Sequence, residues 1–128
     1  MKRGTARGIA YWEAGEGIPF LALHGYTLDH RMAAGAFEPL FVALGPKGHY
    51  RRIYPDLPFM GESEDLAEAS GSDAMLAAMV DFVAELALSG RYPRASYHIV
   101  DGAGHNAQIE APRLFEAAFA AWLEDCSP

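Results

Sequence analysis

Apolar and polar positions alternate loosely over residues 8–14 (GIAYWEA), where Ile9, Tyr11 and Trp12 favour extended backbone and Gly15-Glu16-Gly17 then marks a turn. The pattern predicts an outer strand. Pro19-Phe20-Leu21-Ala22-Leu23 is apolar throughout and stops at His24-Gly25, as expected of a strand buried on both faces in a parallel sheet. Pro39 is a favoured first-turn residue, so a helix is expected to start near it and run through Phe41 to Leu44, with Gly45-Pro46 as the stop. Arg51-Arg52-Ile53-Tyr54 reads as a third strand halted by Pro55, followed by an acidic, turn-rich stretch from Asp56 to Glu68. Its acids Glu62, Glu64, Asp65 and Glu68 suit a solvated loop.

The clearest helix follows, over 73–88. Met75, Leu76, Met79, Val80, Val83 and Leu86 recur at helical spacing, with Ser70 or Ser72 as the cap and Gly90 as the stop. Its Met75, Met79 and Phe82 stripe is expected to face the core. A fourth strand is read at 96–100 (SYHIV), ending in Asp101-Gly102-Ala103-Gly104. Pro112 then opens a last helix whose Phe115, Ala118, Phe119 and Trp122 share a face. This order describes a single α/β domain over 1–128, with a small, mostly parallel sheet and helices on both faces.

Composition narrows the function classes. With 51% hydrophobic and 21% charged residues the chain suits a packed globular fold rather than a disordered one. A formal charge of −7 argues against nucleic acid and anionic membrane as partners. One cysteine, Cys126, cannot form an internal disulfide, and no apolar segment follows Met1-Lys2-Arg3-Gly4-Thr5 or approaches membrane-spanning length. A cytoplasmic location is the expectation.

Ligands of open α/β sheets gather at the carboxyl ends of the strands. Three segments put polar or glycine-rich residues there: His24-Gly25-Tyr26, Asp56 with its loop, and Asp101 to Asn106. In combination and order they resemble the α/β-hydrolase superfamily. PFLALHGYTLDHRMAAGAF (19–37) is similar to its third strand and oxyanion loop, RRIYPDLPFMGES (51–63) to its fourth strand and following turn, and VDGAGHNAQIEAPRLFEAAFAAWLED (100–125) to its last strand, catalytic-histidine loop and closing helix. The resemblance implies a hydrolase of small ester or amide substrates that needs no cofactor. It assigns an oxyanion-binding backbone N–H to Tyr26, the turn of that loop to Gly25, and the catalytic base to His105. Such roles suit the chemistry, since a developing oxyanion needs N–H donors and acyl transfer needs a base near neutral pH.

The family's nucleophile elbow, G-x-S-x-G, does not occur. None of Ser63, Ser70, Ser72, Ser89, Ser96 and Ser127 has glycines two residues away on both sides, and Cys126 is on no elbow. Asp101 and Asp125 do not match the family's acid, so His105 lacks the rest of a triad. The chain thus reads as two ends of a hydrolase without the middle, with a seam between 82 and 91, and as inactive in this form. Were the 128 residues to fold alone, 96–100 is expected to pair with 19–23 through a right-handed crossover. The alternative is a non-catalytic α/β module acting through self-association or protein binding. His24, His30, His49, His98 and His105 show none of the spacings of a metal site.

Overall fold

In a computed structural model, residues 1–45, 49–64, 71–86 and 107–126 are described. Four strands, β1 (Lys2–Ala6), β2 (Ile9–Ala14), β3 (Ile18–Leu21) and β4 (Tyr50–Pro55), accompany four helices: α1 (His30–Leu44), α2 (Ser72–Glu85), α3 (Ala107–Glu110) and α4 (Pro112–Cys126). The chain divides into two compact units, Met1–Gly35 with His49–Pro93, and Ala36–Gly48 with Arg94–Pro128.

The sheet belongs to the first unit and runs β1-β2-β4-β3. It is mixed, and mostly antiparallel rather than mostly parallel: β1 with β2 and β2 with β4 are antiparallel, and β3 with β4 is parallel. Linker length explains this. Ala6 faces Ile9 across a two-residue turn, Arg7-Gly8, with φ of 53° and 77°. Left-handed conformation at both positions is what a tight hairpin requires, and so short a link permits only antiparallel pairing. Gly15-Glu16-Gly17 reverses the chain again, and β4 enters between β2 and β3. Among the described strands only β3 and β4, joined through α1, have the long crossover that parallel strands need.

β4 is one of the two interior strands, and its Tyr50, Ile53 and Tyr54 are buried. One sheet face carries Ile9 and Tyr11 of β2 and Ile53 of β4, and there α2 packs. Ile9, Ile53, Met79 and Phe82 form one buried cluster, and the Phe82 ring meets Tyr11 edge-on at 5.6 Å. On the other face the Phe20 and Tyr54 rings meet at 6.4 Å, and Trp12 stacks on His30, the first residue of α1. Within the first unit α2 thus lies on one face and the start of α1 meets the other at His30.

Three expected boundaries change. α1 begins at His30, nine residues before Pro39, which lies inside the helix. Asp29 caps it: its Oδ1 accepts the Arg31 N–H at 2.9 Å and its carbonyl the Met32 N–H at 3.0 Å. Ser72 is the first residue of α2 rather than its cap, that place being Gly71, and the helix ends at Glu85 with Leu86 behind it. Of the expected core stripe Met79 and Phe82 are buried and Met75 is half-buried, while Leu76 and Val80, which share the helical spacing, are exposed. β1 is an element the hydrophobic pattern did not reveal.

The second unit contains α4, whose apolar stripe packs as its spacing predicts. Phe37 lies 5.3 Å from Phe115 and 5.2 Å from Phe119, Phe41 lies 5.1 Å from Phe119, and Phe119 and Leu123 are buried. The expected strand 96–100, its pairing with 19–23, the Gly90 stop and the second half of the seam between 82 and 91 lie outside the described residues.

Candidate oxyanion loop and the Asp56 hub

Because β3 and β4 are parallel neighbours, the loops after them leave the same end of the sheet. The β4 loop is organised by Asp56, a fully buried carboxylate. A buried charge must be met by donors. Asp56 Oδ1 accepts the backbone N–H of His30 at 2.6 Å and lies 2.9 Å from His30 Nδ1, while Oδ2 accepts the Glu62 N–H at 2.8 Å. Its backbone is held equally: the N–H donates to the Ala10 carbonyl at 2.9 Å and the carbonyl accepts the Ser63 hydroxyl at 2.7 Å. Ser63 Oγ in turn accepts the Ala10 N–H at 3.0 Å. Ser63 is thus a brace between β2 and the loop. Glu62 pairs with Arg3 at 3.0 Å and the Glu64 N–H donates to the Gly8 carbonyl at 2.9 Å. The first half of the expected solvated loop is therefore fixed, and Asp65 and Glu68 lie outside the described residues.

His24 stands at the end of the β3 segment, buried beside Asp56. Its Nε2 accepts the Leu57 N–H at 2.9 Å, and its Nδ1 is 2.7 Å from the Gly25 carbonyl. The first contact leaves no proton on Nε2, and the second places one on Nδ1 as donor. His24 is accordingly a neutral ring, and its 3.9 Å approach to Asp56 Oδ1 is not an ion pair. His30 instead points its Nδ1–H at Asp56 and lies flat on Trp12, ring centroids 3.3 Å apart and planes 9° apart. The Arg3 guanidinium sits 5.7 Å from the Trp12 ring.

This hub holds the loop carrying Gly25 and Tyr26. The Leu28 N–H closes a turn on the Gly25 carbonyl at 3.3 Å, and the left-handed step falls on Thr27 (φ 66°) rather than on Gly25. Tyr26 is 75% exposed, and among the described residues no group accepts its N–H. The turn therefore presents, just beyond β3, a donor that no described group accepts. His105, Asp101 and His98 lie outside the described residues. Nothing in the sequence reading joined His24, His30 and Asp56 into one network, although Asp56 at a strand end was the available signal. Among the described residues no cluster of three or more His, Cys, Asp or Glu side chains could hold a metal, and no helix is long and apolar enough to cross a membrane.

No protein-family model matches the chain. No curated protein matches it either. Solved structures do. An α/β-superfamily hydrolase from Oenococcus oeni PSU-1 is 31% identical with a TM-score of 0.59, covering 98% of this chain and 41% of that one. A bromoperoxidase from Bacillus anthracis is 26% identical at a TM-score of 0.51 over 62% of this chain and 27% of its own. A thermophilic esterase from Thermogutta terrifontis is 26% identical at 0.53, over 70% of this chain and 34% of its own. The chain spans less than half the length of each of these structures. Over that span its strand–loop–helix frame is that of the α/β-hydrolase superfamily.

Proposed function

We propose that this chain derives from a hydrolase of small ester or amide-type substrates, with Tyr26 offering its backbone N–H to the oxyanion and His105 as the base. The observation that carries this reading is the turn Gly25–Leu28, held against the sheet by His24, Asp56 and His30, with an exposed Tyr26 whose N–H no described group accepts. A preorganised donor at a strand end is the device that stabilises charge developing in acyl transfer. The esterase and hydrolase among the similar structures support the substrate class.

The 128 residues hold no G-x-S-x-G, and the Ser63 hydroxyl is already spent on the Asp56 carbonyl. In this form the chain is inactive, with its seam between 82 and 91. The second reading, a non-catalytic module that self-associates, is favoured by Leu76 and Val80, which are 65% and 58% exposed on α2. Purified at 13.9 kDa, the chain is expected to hydrolyse p-nitrophenyl acetate no faster than free imidazole and to take up no fluorophosphonate. One serine labelled stoichiometrically, with turnover lost in His105→Ala, would overturn the inactive reading. An encoding gene that supplies a serine elbow within the seam would establish the deletion.

A further inference from the structure

Three non-glycine residues among those described have positive φ, and two stand at the candidate site. Arg7 belongs to the hairpin, where the turn demands it. Thr27 (φ 66°) and Phe59 (φ 65°) belong to the loops after β3 and β4. The two turns are built alike. Leu28 N–H closes on Gly25 and Met60 N–H closes on Leu57, so Thr27 and Phe59 each occupy the third of four positions. With positive φ there, glycine or asparagine is the unstrained choice. A phenylalanine kept in that conformation is strain of the sort found where a side chain has work to do.

Packing does not account for Phe59. Pro58 beside it is fully buried, yet Phe59 is 46% exposed. Leu23 and Tyr26, in the neighbouring loop, are 51% and 75% exposed. The bond from Leu57 N–H to His24 Nε2 stitches the two loops together. Phe59 is two residues beyond one end of that bond and Tyr26 two beyond the other. Three exposed apolar side chains and the Tyr26 N–H thus belong to two loops that this bond ties together. The net charge of −7 disfavours an anionic ligand there.

We infer that Phe59 is a specificity-determining residue, and that with Leu23 and Tyr26 it receives the hydrocarbon part of a neutral acyl substrate whose carbonyl oxygen faces the Tyr26 N–H. This rests on the oxyanion reading of the loop. Burying one methylene tightens binding by up to about fourfold, so affinity should climb with chain length.

The test needs no turnover. The 128-residue chain is titrated with 2-hexanone, 2-octanone and 2-decanone, following displacement of the neutral dye N-phenyl-1-naphthylamine and the amide resonance of Tyr26. Affinity is expected to rise two- to fourfold per methylene, with the Tyr26 amide shifting. Phe59→Gly relieves the backbone strain and removes the ring, so the thermal midpoint should rise while the chain-length dependence collapses. Phe59→Ala keeps the strain and should lose the dependence without the gain in midpoint. A raised midpoint in Phe59→Gly with the dependence intact overturns the inference, because the ring then touches no ligand. A Tyr26 shift that ignores chain length spares the oxyanion reading and defeats the role of Phe59. A chain-length dependence lost in Phe59→Gly, with the Tyr26 amide unmoved, supports the apolar surface and defeats the oxyanion reading.

Discussion

Asp56 shows how one residue sets the geometry of two loops. Its carboxylate meets the N–H groups of His30 and Glu62 and the ring of His30, so the start of α1 and the loop after β4 are referred to the same buried charge. Room for that charge depends on Gly61. Its φ is 58°, and a Cβ built there would run into the Asp56 carboxylate. Gly61→Ala therefore adds a left-handed side chain and a clash with a group that cannot move without losing its donors. It should cost roughly 2–4 kcal/mol in urea unfolding. A loss under about 0.5 kcal/mol, the scatter of ordinary surface changes, would show that the carboxylate is not confined as described.

At the scale of elements, what the sequence disclosed tracks how local each determinant is. β2, α2 and α4 lie close to where their periodicity puts them, since alternation and helical spacing are written within the segment. β1 is not readable that way: Lys2-Arg3-Gly4-Thr5-Ala6 has no apolar alternation, and it is a strand because the Arg7-Gly8 turn folds it onto β2. Strand direction was illegible for a similar reason, as it depends on which strand enters beside which. The start of α1 was missed although Asp29 caps it locally, and its first N–H finds its acceptor in Asp56, 26 residues away. Of the site, Gly25 and Tyr26 were legible as a strand-end loop, whereas the His24–Asp56–His30 network needed the fold to assemble it.

The cap of α1 can be tested through pH. The hydrogen bond from the Arg31 side chain is the main reason the Asp29 carboxyl falls from its ordinary 3.8 to about 2; burial opposes it as the next-largest effect, and the Arg31 backbone N–H and charge add smaller lowering effects. A carboxyl whose folded pKa is depressed stabilises the fold fully above its unfolded value and ceases to as pH drops through the folded one. Asp29→Ala should accordingly cost about 1 kcal/mol at neutral pH. Its deficit against the unmodified chain should narrow between about pH 4 and pH 2. Asp29→Asn, which can still cap, should lose less. A deficit that stays constant across that range would mean that the charge contributes nothing.

For the molecule as a whole the question is what covers its apolar surface. On the helical wheel of α2, Phe82, Met75, Leu86, Met79, Val83, Leu76 and Val80 span an arc of about 160°. The sheet covers the part around Met79 and Phe82, and leaves Leu76 and Val80 exposed on one flank. Apolar area kept in water forgoes about 25 cal/mol per Å², so a few hundred Å² rivals the whole stability of a small domain. The structures this chain resembles are more than twice its length, and their additional residues are the natural source of such cover. A chain of these 128 residues alone is therefore expected to sediment as a dimer or to unfold at a low temperature. If it dimerises through this flank, Leu76→Lys with Val80→Glu should return it to the monomer. If it stays a monomer of 13.9 kDa and unfolds in one sharp transition at high temperature, nothing is missing from its core, and the reading of two hydrolase ends without a middle fails.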